Sequence, residues 1–197
     1  MLEDFDVRSA YLGITKLPSR EALQDSFTRL GMALQILHEM ERFFAQATLL
    51  GLTDKQRRKH ETMNDLWAAR DKMTFGQMVL LFKEDYILPL EFEKALDAFV
   101  LERNVIVHRI TTLEGYRLDS TEDRERLNER ISTFIEQALF FRKFFHGAFL
   151  ASNEFARGIL KSGGVDIPVV TPDEWQAHVN LFRGLATYRE RPEDSTS

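Results

Sequence analysis

After Pro18-Ser19, the apolar residues Leu23, Phe27, Leu30, Leu34, Leu37 and Phe44 recur at helical steps. That spacing predicts a long amphipathic helix ending near Gly51. Thr53 or Asp54 can cap a following helix that carries Met63, Leu66 and Trp67. Thr74-Phe75-Gly76-Gln77 has the spacing of a capping box, with a short helix over roughly 75–83. Asp85 to Pro89 reads as a turn, Glu91 to Ile110 as a further helix, and Thr111 to Ser120 as a loop. Ser120 and Asp123 form a second cap signature. The apolar positions Leu127, Ile131, Phe134, Ile135, Ala138, Phe141, Phe145 and Phe149 then predict a very long helix, stopped by Gly163-Gly164. Thr171-Pro172-Asp173-Glu174 starts a last helix with Trp175, Val179, Phe182 and Leu185. No convincing strand alternation occurs; the short β-branched runs Val105–Val107 and Val165–Val170 are the weakest points of that statement. The pattern predicts an all-α fold, an antiparallel helical bundle with long core helices. Its expected division is an N-terminal segment over 1–18, one helical-bundle domain over 19–188 and a disordered tail over 189–197.

Composition narrows the class. The chain has 197 residues, 44% of them hydrophobic, enough for a real core. It contains no cysteine, which excludes disulfides, thiolate metal sites and a cysteine nucleophile, and which fits a reducing cytoplasm. No apolar run approaches the 18 or so residues of a membrane span, and the acidic start lacks the apolar stretch of a signal peptide. The formal charge of −5 counts against a broad nucleic-acid-binding surface, although not against a local basic pocket.

One stretch departs from scaffold: Glu102-Arg103-Asn104-Val105-Ile106-Val107-His108. At 100° per residue, Phe92, Leu96, Phe99, Val107 and Ile110 fall within about 40° of Arg103, so its guanidinium sits in the middle of an apolar stripe. Asn104 and His108, four residues apart, share one flank of it. A buried cation must meet an anion, carbonyl groups or a solvent-filled groove. Histidine titrates near neutrality and suits proton transfer. The plain structural alternative is that Arg103 pairs with an acid on a neighbouring helix while His108 caps the helix carbonyls.

Arg103-Asn104-Val105-Ile106-Val107-His108 resembles the signature of the HEPN superfamily: an arginine, usually followed by a polar residue, and a histidine four to six positions on. Thr74-Phe75-Gly76-Gln77-Met78, Ala95-Leu96 and Glu102-Arg103-Asn104 extend the likeness over roughly residues 74–110. The resemblance implies a HEPN-like helical bundle that homodimerises with two motifs face to face. It further implies metal-independent ribonuclease activity, without a cofactor, in toxin–antitoxin or antiviral settings. In that scheme Arg103 stabilises phosphate charge, Asn104 orients the phosphate or His108, and His108 moves the proton. RNA is the expected substrate and an antitoxin protein an expected partner. Some members paired with a nucleotidyltransferase antitoxin carry a tyrosine two residues after the histidine; Ile110 stands there, so tyrosine adenylylation at that position is not supported. Other members are non-catalytic interaction or dimerisation modules. A third class, a ligand-binding regulatory domain, has no residue that locates a ligand.

The remaining constellations weigh less. Arg57 and Arg58, in Lys55-Gln56-Arg57-Arg58-Lys59-His60, form the densest basic cluster and are candidate RNA contacts, against the simpler reading of a solvated helix face. Arg109, directly after His108, is a further candidate phosphate contact. Arg124, Arg126 and Arg130 alternate with Glu122, Glu125 and Glu129, which reads as pairing along one helix. A di-iron site needs Glu-x-x-His, and the positions three before the histidines hold Gln35, Arg57, Val105, Lys143 and Trp175 instead, so no metal is expected. His38 reads as surface, His146 as packed or capping, and His178 has no partner signal. The phenylalanine pairs at 43–44, 140–141 and 144–145 read as core or as a dimer interface.

Overall fold

The computed structural model of the chain describes residues 20–51, 65, 68, 73–110, 115, 118, 120–162 and 172–189. The fold is all-α: five helices and one two-residue strand pair are found among the described residues. They are α1 (Arg20–Gly51), α2 (Phe75–Asp85), α3 (Leu90–His108), α4 (Thr121–Ser162) and α5 (Asp173–Leu185), with β1 (Tyr86–Ile87) and β2 (Thr187–Tyr188). The expected helix over Met63, Leu66 and Trp67, the Val165–Val170 run, residues 1–18 and most of the tail lie outside the described residues.

Local chemistry explains the boundaries. Thr74 Oγ1 accepts from the Gln77 N–H at 3.3 Å while Gln77 Oε1 accepts from the Thr74 N–H at 2.8 Å, closing the box that starts α2. Ser120 Oγ accepts from the Asp123 N–H at 3.3 Å at the start of α4. Pro172 immediately precedes α5. The β-branched Val105–Val107 run stays helical inside α3.

The axis of the bundle is the contact between α1 and α4. Asn128 Nδ2 donates to Asp25 Oδ2 at 3.1 Å and Arg29 donates to Ser132 Oγ at 2.7 Å, each across 103 residues. The same offset places Glu39 2.9 Å from Arg142 and the Phe43 ring 4.4 Å from that of His146. A constant offset means that α1 and α4 run parallel, side by side, over at least Asp25 to Phe43, about 27 Å at 1.5 Å per residue. Between α3 and α4 the order reverses: Glu102 meets Arg130, while Phe92 meets Phe141 and Phe144. The antiparallel relation expected of sequence neighbours therefore holds for α3 and α4, whereas α1 and α4 run parallel.

The inward face of α1 differs from the stripe of large residues. Its buried apolar positions are Ala33, Leu37, Met40, Phe44, Ala45 and Ala47, whereas Phe27 is 55% exposed. A count of bulky residues does not reveal the three buried alanines. Around them lies an aromatic core. Phe44 touches Phe75, Phe82 and Phe145, and Phe99 stacks on Phe134 with centroids 5.2 Å apart. Five of the six paired phenylalanines are core or packed against it, and Phe140 is largely exposed.

The strand pair was not legible in the sequence. Tyr86 faces Tyr188 and Ile87 faces Thr187, antiparallel, and the Arg189 N–H donates to the Asp85 carbonyl at 2.8 Å. Two residues are too few to show alternation.

Candidate functional site

The end of α3 gathers the residues singled out by the sequence. Phe92, Leu96, Phe99 and Ile106 are buried, so the helix presses its apolar stripe into the core and carries Arg103 with it. The Arg103 side chain is only 18% exposed. Arg103 Nε donates to Glu41 Oε1 at 3.0 Å, and its Nη2 lies 2.9 Å from the same oxygen. The Glu41 side chain, from α1, is itself 22% exposed. The guanidinium therefore has the acidic partner on a neighbouring helix that its buried position demands.

The other side of the guanidinium faces the motif. Arg103 Nη1 donates to Asn104 Oδ1 at 3.1 Å and lies 3.4 Å from His108 Nε2. Asn104 and His108 are both exposed. His108 occupies the last turn of α3, and the Arg109 N–H caps the helix by donating to the Val105 carbonyl at 2.8 Å. Arginine, asparagine and histidine thus meet as the spacing predicted, in the carbonyl field at a helix C-terminus, which favours positive charge. Arg109 is exposed at the same end. Arg57 and Arg58 lie outside the described residues.

Sequence reasoning missed Glu41. The signal was weak: Glu41 lies one turn after Leu37, but Met40 already fills the helical step between Leu37 and Phe44. A charged residue in line with a buried stripe requires a partner of opposite sign.

Next to the motif, α3 and α4 enclose an open groove of about 610 Å³ lined by residues that include Ala98, Glu102, Arg126, Arg130, Thr133 and Phe134. Arg130 clamps Glu102 with two bonds, 2.6 Å from Nε and 2.7 Å from Nη2. The expectation of pairing along α4 is thereby corrected for two of the three arginines. Arg126 does pair with Glu122 and Asp123 of its own helix. Arg130 reaches across to α3, and Arg124 donates to the Leu118 carbonyl and Thr121 Oγ1 near the helix start. Arg130 has no acid three or four residues away on α4, and Glu102 on α3 supplies one.

A second polar cluster lies away from the motif. His146 Nδ1 and His178 Nδ1 are 2.8 Å apart between α4 and α5. Trp175 meets the His146 ring edge-on at 5.1 Å. His146 is 8% exposed, and its pKa is lowered from 6.5 to about 4 by burial first, then by His178 and Arg142. His38 is exposed, as its surroundings in sequence suggested.

Among the described residues, no group of three histidine, aspartate or glutamate side chains could hold a metal ion, and no helix is long and apolar enough to cross a membrane. Comparison with protein-family models, with curated proteins and with solved structures finds no match to this chain.

Proposed function

We propose that the chain is a HEPN-type, metal-independent endoribonuclease of the cytoplasm, working as a homodimer in a toxin–antitoxin or antiviral role. The observation that carries the reading is the contact of one guanidinium nitrogen with both Asn104 and His108 at an exposed helix end. In the reaction the ribose 2′-oxygen attacks the adjacent phosphorus, its proton passes to His108, and the bond from phosphorus to the 5′-oxygen breaks. His108 then returns the proton to the 5′-oxygen, leaving a 2′,3′-cyclic phosphate and a 5′-hydroxyl. Arg103 balances charge on the non-bridging oxygens, and Asn104 orients the phosphate or His108. Arg109 adds a phosphate contact, with Arg57 and Arg58 steering the RNA. A second copy brings its motif to the same cleft, and an antitoxin protein holds the activity in check.

Purified protein should cleave RNA in EDTA, with cyclic-phosphate ends, and His108→Ala should abolish cleavage without unfolding the chain. Cleavage that persists in the His108→Ala protein, or that is absent from the parent, removes the proposal.

A second reading is favoured by the Arg103–Glu41 ion pair: a non-catalytic interaction module in which the arginine is architectural. Removing one partner of such a half-buried pair costs about 1–3 kcal/mol. On that reading Arg103→Ala lowers Tm by several degrees while the parent cuts no RNA. An unchanged Tm removes it.

A further inference from the structure

The donors of Arg103 are divided between two helices. Arginine only donates hydrogen bonds, through five N–H groups in a rigid plane. One edge of that plane, Nε and Nη2, is held by a single oxygen of Glu41 from α1. Nη1 is the nitrogen left to face the end of α3, where it meets Asn104 Oδ1 at 3.1 Å and His108 Nε2 at 3.4 Å. Because the plane is rigid, fixing one edge fixes the direction of the other. Without the carboxylate, the guanidinium is free to turn on its long stem.

The contact with His108 has a chemical consequence. Nη1 brings a hydrogen, so Nε2 must present its lone pair; an imidazolium would set two N–H groups against each other. A contact in which Nη1 donates to Nε2 requires the tautomer with the proton on Nδ1. Free imidazole side chains favour the opposite tautomer, with the proton on Nε2. Something must therefore hold His108 in the less common form, and in this structure the candidate is a guanidinium anchored from another helix.

We propose that Glu41 is a positioning residue: by anchoring Arg103 it keeps the His108 Nε2 lone pair exposed as the base of the site. The catalytic half of the inference rests on the ribonuclease reading, whereas the tautomer does not. In the reaction the 2′-hydroxyl displaces Nη1 from Nε2 and gives up its proton there. Nη1, released from Nε2 and held in place through Nε and Nη2 by Glu41, donates to the phosphate oxygen on which charge accumulates. The 2′-oxygen to phosphorus bond forms, the phosphorus to 5′-oxygen bond breaks, and the proton on Nε2 passes to the 5′-oxygen. Glu41 touches neither the ribose nor the phosphate, and acts only through Arg103.

The test is long-range nitrogen–proton NMR of the histidine rings in the full-length protein, at about pH 8, above the ordinary imidazole range. The parent should show His108 protonated on Nδ1. Glu41→Ala should move it to the Nε2–H form of free histidine. Glu41→Gln, whose amide oxygen can still accept from Arg103, should keep Nδ1–H. A parent that already holds the Nε2–H form, or a Glu41→Ala protein with an unchanged tautomer, overturns the inference. If circular dichroism shows that Glu41→Ala does not fold, Glu41→Asp, which withdraws the carboxylate by one methylene, takes its place with the same expected shift. If the parent cleaves RNA, Glu41→Ala should lower kcat about tenfold or more while KM moves less than about threefold, with Glu41→Gln restoring most of the rate. A rise in KM with kcat intact assigns Glu41 to RNA binding and overturns the inference. If the parent does not cleave RNA, the ribonuclease reading falls, and the tautomer alone decides whether Glu41 sets the state of His108.

Discussion

Lowering the pH should destabilise this protein through a single imidazole. His146 lies between α4 and α5 with its Nδ1 2.8 Å from that of His178, and Phe43 and Trp175 enclose the ring. The charged group nearest it on α4 is Arg142, one turn earlier, which lies beside Glu39 of α1. Burial, His178 and Arg142 all oppose a proton on His146 and depress its pKa from 6.5 to about 4. The unfolded chain, by contrast, takes up that proton as the pH falls through 6.5. Between those two values the unfolded state binds more protons than the folded one, so stability rises with pH and is lost on acidification. Below about 4 both states are protonated and no further loss arises from this group. At about 1.4 kcal/mol per pKa unit the full gap amounts to roughly 3 kcal/mol, a large share of the stability of a domain. Many carboxylates titrate in the same range, so the parent must be compared with His146→Gln, which keeps an uncharged polar partner for His178. Urea unfolding followed by circular dichroism from pH 8 to pH 4 gives the two curves. Their difference should slope only between about pH 6.5 and 4, with the parent losing more. A flat difference, or a parent that gains stability on acidification, refutes the assignment of the depressed proton affinity to this buried ring.

Local geometry fixes the sign of three other substitutions. A Cβ added at Gly147 would lie 2.0 Å from the His178 carbonyl oxygen, so Gly147→Ala should force α4 and α5 apart and cost about 1–3 kcal/mol or more, against a gain of at most about 1 kcal/mol in helix propensity. Gly31→Ala, with no atom within 4 Å in the exposed interior of α1, should instead raise stability by about 0.5–1 kcal/mol, and thermal unfolding of the two variants checks the opposite signs. Thr74→Ala removes the Oγ1 acceptor for the Gln77 N–H, one of the two bonds of the box that starts α2, and should cost about 1 kcal/mol in denaturant unfolding, with Thr74→Ser close to neutral.

What could be read from the sequence divides along the range of the interactions. The capping box at Thr74, the start of α4 after Ser120 and the course of α3 rest on contacts within four residues, and each is where the pattern put it. The meeting of Arg103, Asn104 and His108 is equally local, because helical spacing alone brings them to one end of α3. Interactions between helices were not legible. Arg130 reaches Glu102, 28 residues away, and His178 finds His146 across 32. The inward face of α1 was read in part: Leu37 and Phe44 are buried as the stripe placed them, whereas Phe27 is exposed and Ala33, Ala45 and Ala47, which a count of large side chains passes over, are buried. Glu41 lies between these two cases. A stripe shows where a charge will be buried but not what neutralises it, and two charges in two separate stripes each require the other. Arg103 in the α3 stripe and Glu41, one turn after the buried Leu37, form such a pair, which ties α3 to α1. The same match bears on function, since the α1 carboxylate that makes burial of Arg103 affordable also decides which nitrogen of that arginine faces His108.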